Sequence, residues 1–182
     1  MKLNNHGFTL IELIVVVVIL AILAVAAVPK MLSYHSAGQS SVIYGVSAAL
    51  DTSLQLVSAQ IAIDNATKSV NYNGQTITLS EGMPEASIET INSLLDIQAP
   101  LSWTTNWDTE ACDETEFCIV GHLYPGKYGY IDIPQYNLTR IDNIVYIWPK
   151  GYLLNDSEQC FSFYINKGST RETFHGSVTT NC

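Results

Sequence analysis

Phe8 to Val28 reads FTLIELIVVVVILAILAVAAV, and its only polar side chains are Thr9 and Glu12. As a helix rising ~1.5 Å per residue the stretch spans about 31 Å, the thickness of a bilayer core. Ahead of it lies MKLNNHG, a polar heptapeptide with no apolar region of its own. Beyond it, after Pro29-Lys30, an apolar series recurs at Ile43, Val46, Leu50, Leu54, Val57 and Ile61. Steps of three and four draw one stripe along an amphipathic helix. Ser40, Ser41, Asp51, Gln55, Ser58 and Gln60 fall off the stripe and give the helix a polar side. One long helix from Phe8 to about Ile63 is therefore predicted. Pro29, which lacks an N–H, should kink or locally open it, and Gly38 and Gly45 should weaken it.

From Val70 the period falls to two. Val70-Asn71-Tyr72 and Gln75 to Leu79 flank Asn73-Gly74, a strong short-range hairpin signal. Pro84-Glu85 followed by Ile88, Ile91, Leu94 and Leu95 predicts a short helix with proline near its start. Phe117 to Tyr124, Tyr128 to Ile133, Ile141 to Trp148, Cys160 to Ile165 and Thr173 to Thr179 are strand candidates rich in aromatic and β-branched residues. Helix first and antiparallel strands after is the α+β pattern.

The 182-residue chain has room for one ordinary domain plus an appendage. Eight basic residues against seventeen acidic ones leave a formal charge of -9. There is no basic footprint to neutralise phosphates, so nucleic-acid binding by charge is disfavoured. An apolar fraction of 47% excludes a disordered acidic chain.

Three readings of the amino terminus compete. A cleaved secretory signal would use Ala24-Val25-Ala26 as its small-x-small site, but Glu12 interrupts the apolar run and Leu13 to Val28 is long for a signal core. A plain signal anchor tethering a periplasmic binding domain leaves Glu12 unexplained. The third reading accounts for Gly7, Phe8 and Glu12 together. Gly7-Phe8-Thr9-Leu10-Ile11-Glu12-Leu13 strongly resembles the class III signal of type IV pilins and of type II secretion pseudopilins.

That resemblance implies a long helix packed on an antiparallel head, and a division into leader 1–7, transmembrane and assembly helix 8–28, and globular head 29–182. A prepilin peptidase would cut between Gly7 and Phe8 and methylate the new Phe8 amine. Glu12 would pair with the Phe8 nitrogen of a neighbouring subunit. Loss of the leader removes Lys2, leaving seven basic against seventeen acidic residues, a formal -10. The precursor would sit in the inner membrane with its leader cytoplasmic and its head periplasmic. An assembly ATPase and a platform protein would then draw it into an extracellular homopolymer. Pro29-Lys30, Ser58 to Asp64 and the ending Ser177 to Cys182 look like mannose-sensitive haemagglutinin pilins, which implies surface attachment and a surface or carbohydrate ligand. A pseudopilin or a minor pilin is the alternative within the family.

Cys112, Cys118, Cys160 and Cys182 allow three pairings. A head outside the inner membrane meets an oxidising compartment. Local closure favours Cys112 with Cys118 and Cys160 with Cys182, and a carboxy-terminal disulfide is what the pilin resemblance implies for the second pair. A metal site from Cys112, Cys118 and His122 is the rival, at spacing wider than usual zinc sites. The acidic group Asp108, Glu110, Asp113, Glu114 and Glu116 lacks EF-hand spacing and reads as a solvated loop. Trp103, Trp107, Trp148 and the ten tyrosines offer rings to a sugar, with core packing the default. His35, His122 and His175 lie far apart and outside any nucleophile or metal motif, and Tyr124-Pro125-Gly126-Lys127 reads as a turn, not a phosphate loop. The sequence predicts no enzyme, no metal and no cofactor.

Overall fold

A computed structural model describes residues 9–97, 107–113, 115–127, 130–168 and 170–182, and within the first helix it leaves out the side chains of residues 26–33 and 35. The chain divides into two compact units at Gly38/Gln39. Helix α1 runs Leu10–Asp64, so Pro29 does not end it.

In the second unit the predicted stripe faces inward. Ile43, Leu50, Leu54 and Val57 are buried, with Val46 and Ile61 partly so. Each buried aliphatic side chain contributes roughly 1.5–3 kcal/mol, which holds the helix to the head. Asn65, in the left-handed region, marks where the helix has ended.

A small antiparallel sheet follows, made of β1 (Ser69–Tyr72), β2 (Gln75–Ser80) and β3 (Met83–Pro84). Asn73 and Gly74 both have positive φ, 51° and 79°, the requirement of the two-residue turn that their sequence predicts. Helix α2 (Ile88–Leu95) opens at Ser87, whose Oγ accepts from the Thr90 amide at 3.2 Å. Pro84 is not its first-turn residue. It belongs to β3, where its carbonyl accepts from Tyr164 Oη at 2.6 Å and from Asn166 Nδ2 at 2.8 Å.

The larger sheet is an antiparallel meander of β4 (Phe117–Leu123), β5 (Asn143–Pro149), β6 (Phe161–Lys167) and β7 (Glu172–Val178), in that spatial order. Its central strands are buried on both faces, so they read as continuous apolar runs. Val145, Ile147 and Tyr164 face a core shared with α1, α2, β1 and β2. Ile144, Tyr146, Trp148, Phe161, Phe163 and Ile165 face a second core, closed by Trp107, Ile131, Ile133 and Leu154 from the connecting segments. A sheet between two cores positions everything the head displays.

The predicted strand over Tyr128 to Ile133 is not found. Tyr128 lies outside the described residues, and residues 130–133 pair with no strand. A side chain does the satisfying instead: Tyr146 Oη donates to the Ile131 carbonyl at 2.5 Å and accepts from its amide at 3.3 Å. Ile131 and Ile133 are buried nonetheless. The alternation is real, but it packs a loop onto the second core.

Two close approaches lock the sheet. A Cβ on Gly121 would lie 3.0 Å from the Ile88 nitrogen and the Ser87 Cα, so β4 can lie against the start of α2 only through a glycine. On β7, a Cβ on Gly176 would meet the Phe163 ring of its paired residue at 2.9 Å.

Candidate processing and assembly segment

Gly7 and Phe8, the residues of the expected scissile bond, lie outside the described residues. The description begins at Thr9, and there the local chemistry is specific. The Thr9 amide and hydroxyl both donate to Glu12 Oε2, each at 2.8 Å. The Glu12 amide in turn donates to Thr9 Oγ1 at 3.4 Å, and the Leu13 amide reaches the Thr9 carbonyl at 3.3 Å. This is a reciprocal cap of the form Thr-x-x-Glu, which satisfies amides that a helix start leaves without partners. Glu12 therefore has a structural task within its own chain as well as any it has between chains. The signal was present in the sequence as Thr9-Leu10-Ile11-Glu12 ahead of an apolar run. The pilin resemblance points to Glu12 and not to Thr9.

A carboxylate offers about four lone-pair sites, so two Thr9 contacts do not exhaust Glu12. The surroundings are uniformly apolar. From Leu10 to Val25 every residue is exposed, with Leu10 at 75%, Val15 at 48% and Val25 at 77%. Water does not tolerate an uncovered apolar surface of this extent, which marks it for lipid or for a partner.

Length and apolarity alone also pick out the 29-residue stretch Ser36–Asp64 as long enough to cross a membrane. Its packing assigns it elsewhere, because Ile43, Leu50, Leu54 and Val57 close the core of the head. Leu10–Val25 has no such covered face.

In the head, Cys112 is bonded to Cys118 and Cys160 to Cys182, with Cα separations of 6.0 and 4.8 Å. Cys112 and Cys118 thus hold each other, and neither is a free thiolate for the metal reading with His122. His122 lies 3.9 Å from Glu85, and His175 lies 3.2 Å from Asp51 on α1. His35 has no described side chain, and among the described residues His122 and His175 face separate carboxylates. Among the described residues no group of three or more His, Cys, Asp or Glu is placed to hold a metal. Trp103 and Glu114 lie outside the description. Trp107 and Trp148 are buried, and the Trp148 indole donates to the Tyr152 carbonyl at 3.1 Å, so neither ring faces a ligand.

The head surface carries an open cleft of about 440 Å³ between Pro125, Tyr130, Asp132, Pro134, Asn137 and Leu138. Tyr130 Oη donates to Asp132 Oδ1 at 3.0 Å. Burial, with the Asp132 carboxylate beside it, pushes the Tyr130 phenol well above its usual range, so it stays a donor.

Residues 2–28 match the family described as the prokaryotic N-terminal methylation motif. The amino terminus carries a prepilin-type methylation motif. It supports a type IV pilin-like or pseudopilin-like protein, and the α+β arrangement of long helix and antiparallel sheets is consistent with the type IV pilin fold. The motif points to a structural protein and implies processing by a prepilin peptidase in a pilus-assembly context. Together with the exposed apolar stretch of α1 it fits a membrane-anchored precursor. No curated protein and no solved structure matches the chain.

Proposed function

We propose that the chain is a structural subunit of a type IV pilus, processed between Gly7 and Phe8, methylated on the Phe8 amine, and polymerised through its apolar helix. The observation that carries the reading is the methylation motif over residues 2–28 placed directly on a capped helix with an uncovered apolar surface. Division into leader 1–7, assembly helix 8–28 and head 29–182 follows. Subunits with heterologous contacts that do not close into a ring form a filament. The heads form its surface, and many weak head contacts add through avidity to give attachment, as in mannose-sensitive haemagglutinin pilins. Two disulfides suit a head that ends outside the cell, and they favour a pilin over a pseudopilin.

In this account Glu12 registers subunits by neutralising the Phe8 amine of a neighbour inside a dry helix bundle. Glu12→Gln is a clean test, because glutamine at this position keeps the cap with Thr9 and removes only the charge. The variant is expected to be cleaved and inserted normally. Its sheared surface filaments should fall steeply against the processed membrane pool, since an unpaired buried ammonium costs roughly 3–5 kcal/mol. Normal filament yield would show that Glu12 does not register subunits, and a signal-anchored binding domain would become the better reading.

A further inference from the structure

Residues 130–142 pair with no strand, yet the core holds them at three places. Their alternation sends Ile131 and Ile133 into the second core and leaves Tyr130, Asp132 and Pro134 to line the open cleft of about 440 Å³. Tyr146, fully buried on β5, fixes the Ile131 backbone through its Oη. Asp142 is fully buried too, and its Oδ2 accepts from the Thr139 amide at 2.8 Å and hydroxyl at 2.9 Å. That fixes the chain just beyond Asn137 and Leu138, which also line the cleft. Between these points a 3₁₀ turn at Pro134–Tyr136 is clamped by the Tyr136 ring, 4.8 Å from Phe174 and 5.7 Å from Phe163. A cleft tied to the core in this way is formed before any ligand arrives, and a pre-formed site has less to order on binding.

The lining suits one class of ligand. Tyr130 Oη donates to Asp132 Oδ1 at 3.0 Å, and burial with that carboxylate beside it keeps the phenol protonated. A carboxylate offers about four lone-pair sites, so the exposed Asp132 has room to accept from further hydroxyls. The exposed Asn137 amide brings donors and an acceptor. Pro125, Pro134 and Leu138 bring apolar surface, and Tyr130 the face of a ring. Asp132 is the charged residue of the lining, and it repels phosphates and carboxylates. The matching ligand offers hydroxyls and C–H faces and carries no negative charge.

The cleft also stands where a filament would show it. Tyr146, Phe163 and Phe174, which hold its walls, belong to or pack on the second core. Val145, Ile147 and Tyr164 face the other core, the one shared with α1. The cleft therefore lies on the face of the sheet turned away from α1, and in a polymer with central helices that face points outward. We infer that the cleft is a binding site for a neutral sugar ring, with Asp132 and Asn137 holding its hydroxyls and Tyr130, Pro134 and Leu138 packing its C–H surface. The inference deepens the attachment reading above by giving it a place on the head and a ligand class. Loops positioned by a rigid scaffold are where binding residues collect, and many weak sites along one filament add through avidity.

The test uses the full chain solubilised in detergent and, separately, filaments sheared from cells. The neutral probes are the methyl glycosides of glucose, galactose, mannose and N-acetylglucosamine. Methyl glucuronide is the anionic probe, because the Arg140 guanidinium lies 3.6 Å from where a Cβ on Gly126 would stand. Magnetic saturation should pass from the solubilised chain to at least one neutral probe. Asp132→Ala should weaken that binding roughly tenfold or more, and Tyr130→Phe, which keeps the ring, about threefold. Asn137→Gly keeps the positive φ of 46° and removes the amide, so it should weaken binding without straining the backbone. Asp156→Ala, which removes the same charge from an exposed residue between β5 and β6, should leave binding unchanged. Wild-type filaments should be retained on beads bearing the bound sugar, and Asp132→Ala filaments of equal yield should not. Transfer to no neutral probe, binding of the glucuronide alone, or equal affinity in the Asp132, Asn137 and Asp156 variants overturns the inference, as does equal retention of the two filaments. Filaments in normal yield that bind no sugar sink the cleft and spare the polymer reading. Sugar binding by a chain that enters no filament does the reverse.

Discussion

Residues Leu10–Val25 and Gln39–Asp64 lie on one helix but answer to different surroundings. Past Glu12 the first stretch is apolar on every side, and it is exposed on every side; the second is apolar in stripes, and one stripe lies under the head. A helix that is hydrophobic all round belongs in lipid or inside a bundle, whereas a striped one belongs on a core. Helix formation is not what separates the two regions. The distribution of polar residues around the helix decides which solvent each half requires.

The largest expected effect falls on the first region, before assembly begins. Gly7→Leu should abolish maturation and leave full-length precursor in the membrane, read as one unshifted band, because a bulky side chain at the scissile position cannot follow a backbone that glycine lets into a tight cleft. Normal cleavage would mean that the motif is not read as proposed.

Within the second region, Leu50→Ala should destabilise the head by about 2–5 kcal/mol, since Leu50 is fully buried. Leu56→Ala, at 54% exposed, should change it by less than about 0.5 kcal/mol. Thermal melts of the detergent-solubilised chains check the pair, and equal losses would mean that the inward stripe is wrongly placed.

Replacing Cys160 and Cys182 together by serine should lower head stability by roughly 3 kcal/mol, and the Cys112–Cys118 pair by roughly 2, as the chain-entropy argument gives for their different loop lengths. The first loss should appear as fraying at the carboxy terminus, where Tyr152 Oη donates to the Cys182 carbonyl at 3.1 Å. Hydrogen exchange in β7 checks this, and protection unchanged from wild type would remove the disulfide from that role.

The smallest effect falls on the amino-terminal cap. Thr9→Ala keeps the charge of Glu12 and loses the cap, costing about 1 kcal/mol of local helix stability. Amide exchange over the first turn should rise while cleavage continues. Set beside Glu12→Gln, it separates the cap from the charge.

Much of this organisation was legible in the chain, for reasons that differ by element. The stripe from Ile43 to Ile61 is periodic over five turns, and Asn73-Gly74 meets a backbone requirement few residues meet, so both survive in the fold. The strands β4 to β7 stood out through β-branched and aromatic runs. The alternation at residues 130–133 misled, because a period of two reports burial on one side and not a neighbouring strand. Tyr146, more than ten residues away, supplies the hydrogen bonds there, and nothing local announces it. Pro84 misled similarly: its place in β3 is fixed by Tyr164 and Asn166, some eighty residues distant. Glu12 stands out as an intramembrane carboxylate, whereas Thr9, its partner in the cap, shows only through the Thr-x-x-Glu spacing ahead of an apolar run.

Everything proposed for the first region depends on where the mature chain begins. Intact-mass and amino-terminal peptide analysis of the chain recovered from membranes and sheared filaments decides this directly. Processing as proposed leaves a terminus at Phe8 carrying one added methyl group on its amine. A terminus at Ala27, as a secretory signal would leave, or an intact Met1, would contradict it.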